Sequence, residues 1–359
     1  MQIFPTLKQF IGSSAGGNEL LLAQQITVGG VTYPHKIDMY TPSGPIKMVL
    51  VLFPGAGSTS WRHAALMKIT NGSGGMPTMA NTSWGALQYL QCAVWVIQNF
   101  ACDGVFDPDY NPRSVRAITS DGRLVGSWNN GIMYSGHTAA GDTAMCAALP
   151  TAVAAKYDSV IVGHVGHSNG AMFGQDRYYH HATNTYDFYS FASGPPALAL
   201  STATITNTVW KPTIAFQSAM DDVIGVVQSG GVDVPVYTQP IDKFSVADVK
   251  WPTSIAPPGD QNVGETQWWG VKQAFQDRVN RRNASKGLNP ESMGAGVTTP
   301  AKIGTKTIYT CSASANNPQG ANQLYVCSAG NHGVDDLQAA LGQPLLYLIA
   351  AFGYANAQG

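Results

Sequence analysis

Short apolar runs separated by glycine- and proline-rich turns recur along the 359-residue chain. Residues 47–53 read Lys-Met-Val-Leu-Val-Leu-Phe, and residues 93–97 read Ala-Val-Trp-Val-Ile. Neither run alternates apolar with polar positions, so both faces are expected to be buried, as in a central parallel strand. Val160, Ile161 and Val162 begin a third run, and residues 188–192 and 212–217 supply two more. Residues 26–28 and 31–33 flank Gly29-Gly30 and predict a hairpin, its second strand running on through 37–40. Residues 61–70 and 139–157 read as helices, and 335–354 as two closing helices with Pro344 starting the second. Residues 306–311 and 323–328 pair as strands around the turn-forming Asn316-Asn317-Pro318-Gln319-Gly320. Strands alternating with helices predict an α/β architecture: a mostly parallel sheet with helices on its faces.

The remaining stretches are irregular. Residues 1–22 carry no pattern, and 71–83 form a loop rich in Gly, Ser, Asn and Met. Residues 101–138 are rich in Gly, Asp, Asn and Pro, and so long a loop in a compact domain is usually functional. Residues 225–264 are rich in Val, Pro and Gly without periodicity. Trp268, Val271, Phe275 and Val279 then fall at helical spacing within 267–282, an aromatic stripe suited to core packing. The reading is one domain over 1–359, with 225–305 as a lid or insertion containing one amphipathic helix.

Composition narrows the partners. Apolar residues make up 44% of the chain, enough for a sizeable core, but charged residues only 11%, against roughly 25% in typical soluble proteins. Polarity comes from Asn, Gln, Ser and Thr, a balance that favours an extracellular or periplasmic setting, although no signal-peptide pattern is visible. The net charge is −1 with no basic or acidic run, which leaves nucleic-acid binding and electrostatic membrane binding without support. The most apolar segment, 337–354, is too short and interrupted to span a bilayer. The five cysteines include no C-x-x-C pair, so no zinc or thioredoxin-like site is expected. Gln319 lies midway between Cys311 and Cys327, so a symmetric hairpin would set the two cysteines face to face, within disulfide reach. The disulfide is the favoured reading and leaves Cys146 as the expected unpaired thiol; the alternative is two free thiols in a reducing compartment.

The chemistry centres on Gly166-His167-Ser168-Asn169-Gly170. An apolar strand pattern precedes this G-x-S-x-G and a helical one follows, which is the layout of a nucleophile elbow. The sharp turn exposes the Ser168 hydroxyl, and the glycines let strand and helix approach closely. Phe53-Pro54-Gly55-Ala56-Gly57 follows a buried strand and can turn the Ala56 N–H toward a developing oxyanion, alongside the N–H of Asn169. In such elbows the triad follows in the order Ser, acid, His. Asp221 is the first acid past the strand at 212–217, with Asp222 its competitor. His332 follows it in a small-residue loop after the last strand. Trp128, in Trp128-Asn129-Asn130-Gly131, either lines the substrate pocket or packs in the core.

With these motifs in this order, the chain resembles the α/β-hydrolase superfamily, and within it the polyhydroxybutyrate depolymerase and feruloyl esterase-like group. The resemblance spans about residues 25–352 and is sharpest at Gly166 through Met172. Residues 53–57 stand in for the family's His-Gly-x-Gly, with Pro54 in place of the His, and Gly333-Val334 replaces the Trp-Pro after the catalytic His. The resemblance implies an α/β-hydrolase fold and ester hydrolysis through an acyl-enzyme. Ser168 would be the nucleophile, His332 the base, Asp221 its partner, and Ala56 and Asn169 the oxyanion donors. It implies no cofactor and no metal, and a small-molecule, oligomeric or polymeric ester as substrate. The alternatives are acyl transfer or peptide cleavage on the same fold, or a binding or structural protein on a hydrolase scaffold.

Overall fold

The computed structural model describes residues 18–33, 35–55, 58, 60–70, 82–98, 128, 139–180, 186–194, 211–218, 221, 226–229, 232–235, 249–250, 296–311 and 322–357. Fifteen strands are found among them: β1 (Glu19–Gln24), β2 (Thr27–Val28), β3 (Val31–Thr32), β4 (Ile37–Thr41), β5 (Met48–Phe53), β6 (Cys92–Ile97), β7 (Ile161–His167), β8 (Phe188–Ala192), β9 (Thr213–Ser218), β10 (Val226–Ser229), β11 (Val232–Pro235), β12 (Val249–Lys250), β13 (Val297–Pro300), β14 (Thr305–Cys311) and β15 (Asn322–Cys327). The helices are α1 (Ser60–Leu66), α2 (Thr82–Tyr89), α3 (Ala139–Lys156), α4 (Asn169–His180), α5 (Val334–Leu341) and α6 (Leu345–Asn356).

Ten strands form one sheet in the order β1-β4-β6-β5-β7-β8-β9-β15-β14-β13. The block from β6 to β15 is parallel, and the strands outside it on either side pair antiparallel. All six residues of β5 are buried, as their unbroken apolar run predicts for a strand covered on both faces. Their side chains alternate between two cores. Val49, Val51 and Phe53 pack with Met145, Leu149 and Val153 of α3 and Phe173 of α4. Met48, Leu50 and Leu52 pack with Ala64 of α1, Leu337 of α5 and Ile349 of α6. Each of the buried Val, Leu, Ile, Phe and Met side chains contributes about 1.5–3 kcal/mol by leaving water. A mostly parallel sheet, helices on both faces and a strand–serine–helix turn from β7 into α4 make this an α/β-hydrolase fold.

The Gly29-Gly30 hairpin forms as predicted, but as a separate two-stranded sheet; its second strand does not run on, and β4 joins the main sheet. Pro344 precedes α6 as its N-cap, and Gly342, in the left-handed region, closes α5. Part of the stretch read as irregular over 225–264 is ordered: β11-β10-β12 form a small antiparallel sheet. The predicted helix over 267–282, Ala56, Asp222 and all of 101–138 except Trp128 lie outside the described residues.

The Cys311–Cys327 disulfide is corrected. The β14–β15 ladder pairs Cys311 with Asn322 and Lys306 with Cys327. The cysteines are therefore offset by five residues, about 17 Å along a strand and far beyond disulfide reach. Cys327 is a free, buried thiol, as are Cys92 and Cys146. The hairpin is not centred between the cysteines, because β15 must also keep its parallel register with β9 on its other side.

Candidate active site

The parallel strands deliver their C-terminal ends to one edge of the sheet. Register places Phe53 of β5 beside Gly166, His167 beside Ala192 of β8, and Ser218 of β9 beside Cys327 of β15. The loops carrying Ser168, Asp221 and His332 thus leave the sheet on the same side, where open α/β sheets place their sites.

Ser168 has φ 51°, a left-handed conformation that is strained for a residue with a side chain. The fold holds it there. Its N–H donates to the Ala192 carbonyl at 2.9 Å, and its own carbonyl accepts from Ala171 and Met172, the first bonds of α4. Close packing explains the flanking glycines. A Cβ on Gly166 would lie 2.5 Å from the Gly170 oxygen, and one on Gly170 only 2.1 Å from the Phe53 oxygen. The Asn169 amide opens α4, where the first N–H groups have no intrahelical acceptor and the helix dipole favours negative charge.

The structure brings Ser168, His332 and Asp221 together. His332 Nε2 lies 2.8 Å from Ser168 Oγ. Its Nδ1 lies 2.9 and 3.0 Å from the two oxygens of Asp221. A carboxylate only accepts, so Nδ1 carries the ring proton and Nε2 is left to accept from the serine hydroxyl. Asp221 is fully buried, while the His332 side chain keeps 14% exposure toward the sheet edge.

Residues that sequence reasoning missed hold these two loops. Gln217 Nε2 donates to Asp221 Oδ2 at 2.8 Å. Ser218 Oγ donates to the Gly330 carbonyl at 2.9 Å, tying the end of β9 to the histidine loop. His167 Nε2–H donates to the main-chain carbonyl of His332 at 3.2 Å. Burial holds the His167 ring down to about 3, with the nearby His332 adding to the effect, so it stays neutral. His63 of α1 stacks on it at 5.6 Å and is held well below its ordinary value by the same burial. No motif marks Gln217, Ser218 or His63, and His167 fills a variable position of the elbow motif; their roles come from elements that meet only in the folded sheet.

Trp128 is completely buried, which favours core packing over pocket lining. Its indole N–H donates to the Pro54 carbonyl at 2.8 Å. Its main-chain N–H donates to Asn169 Oδ1 at 2.5 Å, and Asn169 Nδ2 donates back to its carbonyl at 3.2 Å. Among the described residues, no cluster of three His, Cys, Asp or Glu side chains is arranged to hold a metal, and no helix is long and apolar enough to cross a membrane.

No family model and no curated protein sequence matches the chain. Among solved structures it is similar to a PEG-bound cold-adapted esterase from an Arctic intertidal metagenomic library, with 14% identity over 59% of this chain and 79% of that one and a TM-score of 0.35. It is also similar to a carboxylesterase of Bacillus cereus, at 14% identity over 52% of this chain and 72% of that one, TM-score 0.30. TT1662 of Thermus thermophilus covers more, with 95% of this chain and 99% of that one aligned, at 9% identity and TM-score 0.42. Likenesses this distant transfer no substrate and no residue role.

Proposed function

We propose that the chain is a serine hydrolase that cleaves carboxylic esters through an acyl-enzyme. The observation that carries this reading is the relay from Ser168 Oγ to His332 Nε2 at 2.8 Å and from His332 Nδ1 to buried Asp221 at 2.9 Å, built on a strained elbow. His332 takes the proton of Ser168 as its Oγ attacks the ester carbonyl, and Asp221 stabilises the resulting imidazolium. The N–H groups of Asn169 and Ala56 hold the oxyanion, each worth about 3 kcal/mol in the transition state. His332 then protonates the departing alcohol, and in the second half it activates the water that releases the acid. The resemblance to polyester depolymerases and feruloyl esterases directs the substrate search to hydroxybutyrate oligomers and feruloyl esters beside simple p-nitrophenyl esters.

A fluorophosphonate is expected to phosphonylate Ser168, read by peptide mass spectrometry, and Ser168→Ala to lose both the adduct and p-nitrophenyl butyrate turnover. No adduct, together with equal rates for the two proteins, would overturn the reading in favour of a binding scaffold.

A further inference from the structure

We propose that Trp128 is a positioning residue that locks together the two chain segments carrying the oxyanion donors. The inference rests on the esterase reading above. One segment runs through Pro54 and Gly55 into Ala56; the other is the first turn of α4 at Asn169. Trp128 is remote in sequence from both, yet all three of its polar groups are committed to them. The indole N–H takes the Pro54 carbonyl at 2.8 Å. The main-chain N–H and carbonyl are clamped by the two ends of the Asn169 carboxamide, at 2.5 and 3.2 Å.

The strut cannot swing. Its ring packs against Phe53 at 5.2 Å and Phe173 at 5.3 Å, and lies within 7° of parallel to His35. His35 is in turn bonded to buried Asp142 of α3 at 2.9 Å. The Pro54 carbonyl is hemmed in from the other side as well, because a Cβ on Gly170 would lie 2.6 Å from its oxygen. A peptide pinned by its carbonyl fixes the plane of the Pro54–Gly55 bond, from which the chain enters the proposed donor at Ala56. Two donors serve one oxyanion only when their separation is set before the reaction. Packing alone would need an aromatic ring at 128; the indole N–H and the paired clamp are what positioning adds.

Trp128→Phe keeps a ring and removes the donor. Asn169→Ala keeps the main-chain N–H and removes the clamp. Each is expected to lower kcat about 10- to 100-fold while KM stays within about two-fold, the mark of lost donor alignment. Affinity for a trifluoromethyl ketone, which forms an oxyanion adduct with the serine, should fall by the same factor as kcat/KM. The double variant should lose no more than the worse single one, because both changes break one strut. Should Trp128→Phe fail to fold, Asn169→Ala carries the same comparison. Folded variants with wild-type kcat and ketone affinity, or losses that multiply in the double variant, would overturn the inference while Ser168→Ala still shows the esterase. A wild type that neither hydrolyses esters nor takes up the fluorophosphonate would overturn the esterase reading and this inference with it.

Discussion

At the scale of single residues, the site depends on two kinds of constraint. Steric constraint holds Ser168: neighbours that leave no room for a Cβ on Gly166 or Gly170 keep the turn at φ 51°. Electrostatic constraint holds His332. Asp221 is buried, accepts from Gln217 as well as from the imidazole, and so presents its charge to one ring nitrogen in one tautomer. Asp221→Asn would offer an amide donor to Nδ1 and favour the wrong tautomer. The expected loss is about 10⁴-fold in kcat, read on a p-nitrophenyl ester, with little change in melting temperature. Asp222→Asn should stay within about three-fold of wild type, since one acid suffices for the relay. Equal losses at both positions would contradict the assignment of Asp221.

At the scale of elements, legibility followed how far each segment depends on its own pattern. β5, β6 and β8 are buried on both faces, so their apolar runs could be read directly. β1 was missed although it contains three consecutive leucines, because as a half-buried edge strand it shows no alternation. β13 was missed as a short, exposed edge strand, and α2 because Gly85 interrupts a short helix. The site split in the same way. Ser168, Asp221 and His332 were legible from a motif and a chain order, whereas Gln217, His167 and the Trp128 strut required three-dimensional neighbours. The disulfide failed because hairpin register is set by β9 as well as by the turn. Burial pushes the free Cys327 thiol up to about 11. Native protein should therefore resist iodoacetamide at Cys327 near pH 8, while protein unfolded without reductant should be alkylated there. A cross-linked 311–327 peptide in the unreduced digest would refute the register.

At the scale of the whole molecule, buried neutral histidines set the response to acid. Burial holds His164 and His167 down to about 3 and His63 well below its ordinary value, whereas in the unfolded chain each takes its proton near 6.5. Below about 6.5 the unfolded state binds more protons, so stability is full above that pH and is lost as pH falls toward 3. Each histidine contributes a slope of up to about 1.4 kcal/mol per pH unit. Urea midpoints should drop steeply from pH 7 to pH 4, and His164→Leu should flatten the curve by removing one buried imidazole; midpoints that stay level over that range would refute the neutral assignment. The sheet order has a further consequence for synthesis. β15 is inserted between β9 and β14, and His332, the proposed base on the loop after it, sits 164 positions beyond Ser168, the proposed nucleophile. A chain still emerging from the ribosome can complete the elbow long before it holds a histidine to deprotonate it. On the proposed mechanism the nascent protein therefore carries an unactivated serine until β15 docks beside β9, and ester turnover begins only after residue 332 has been synthesised.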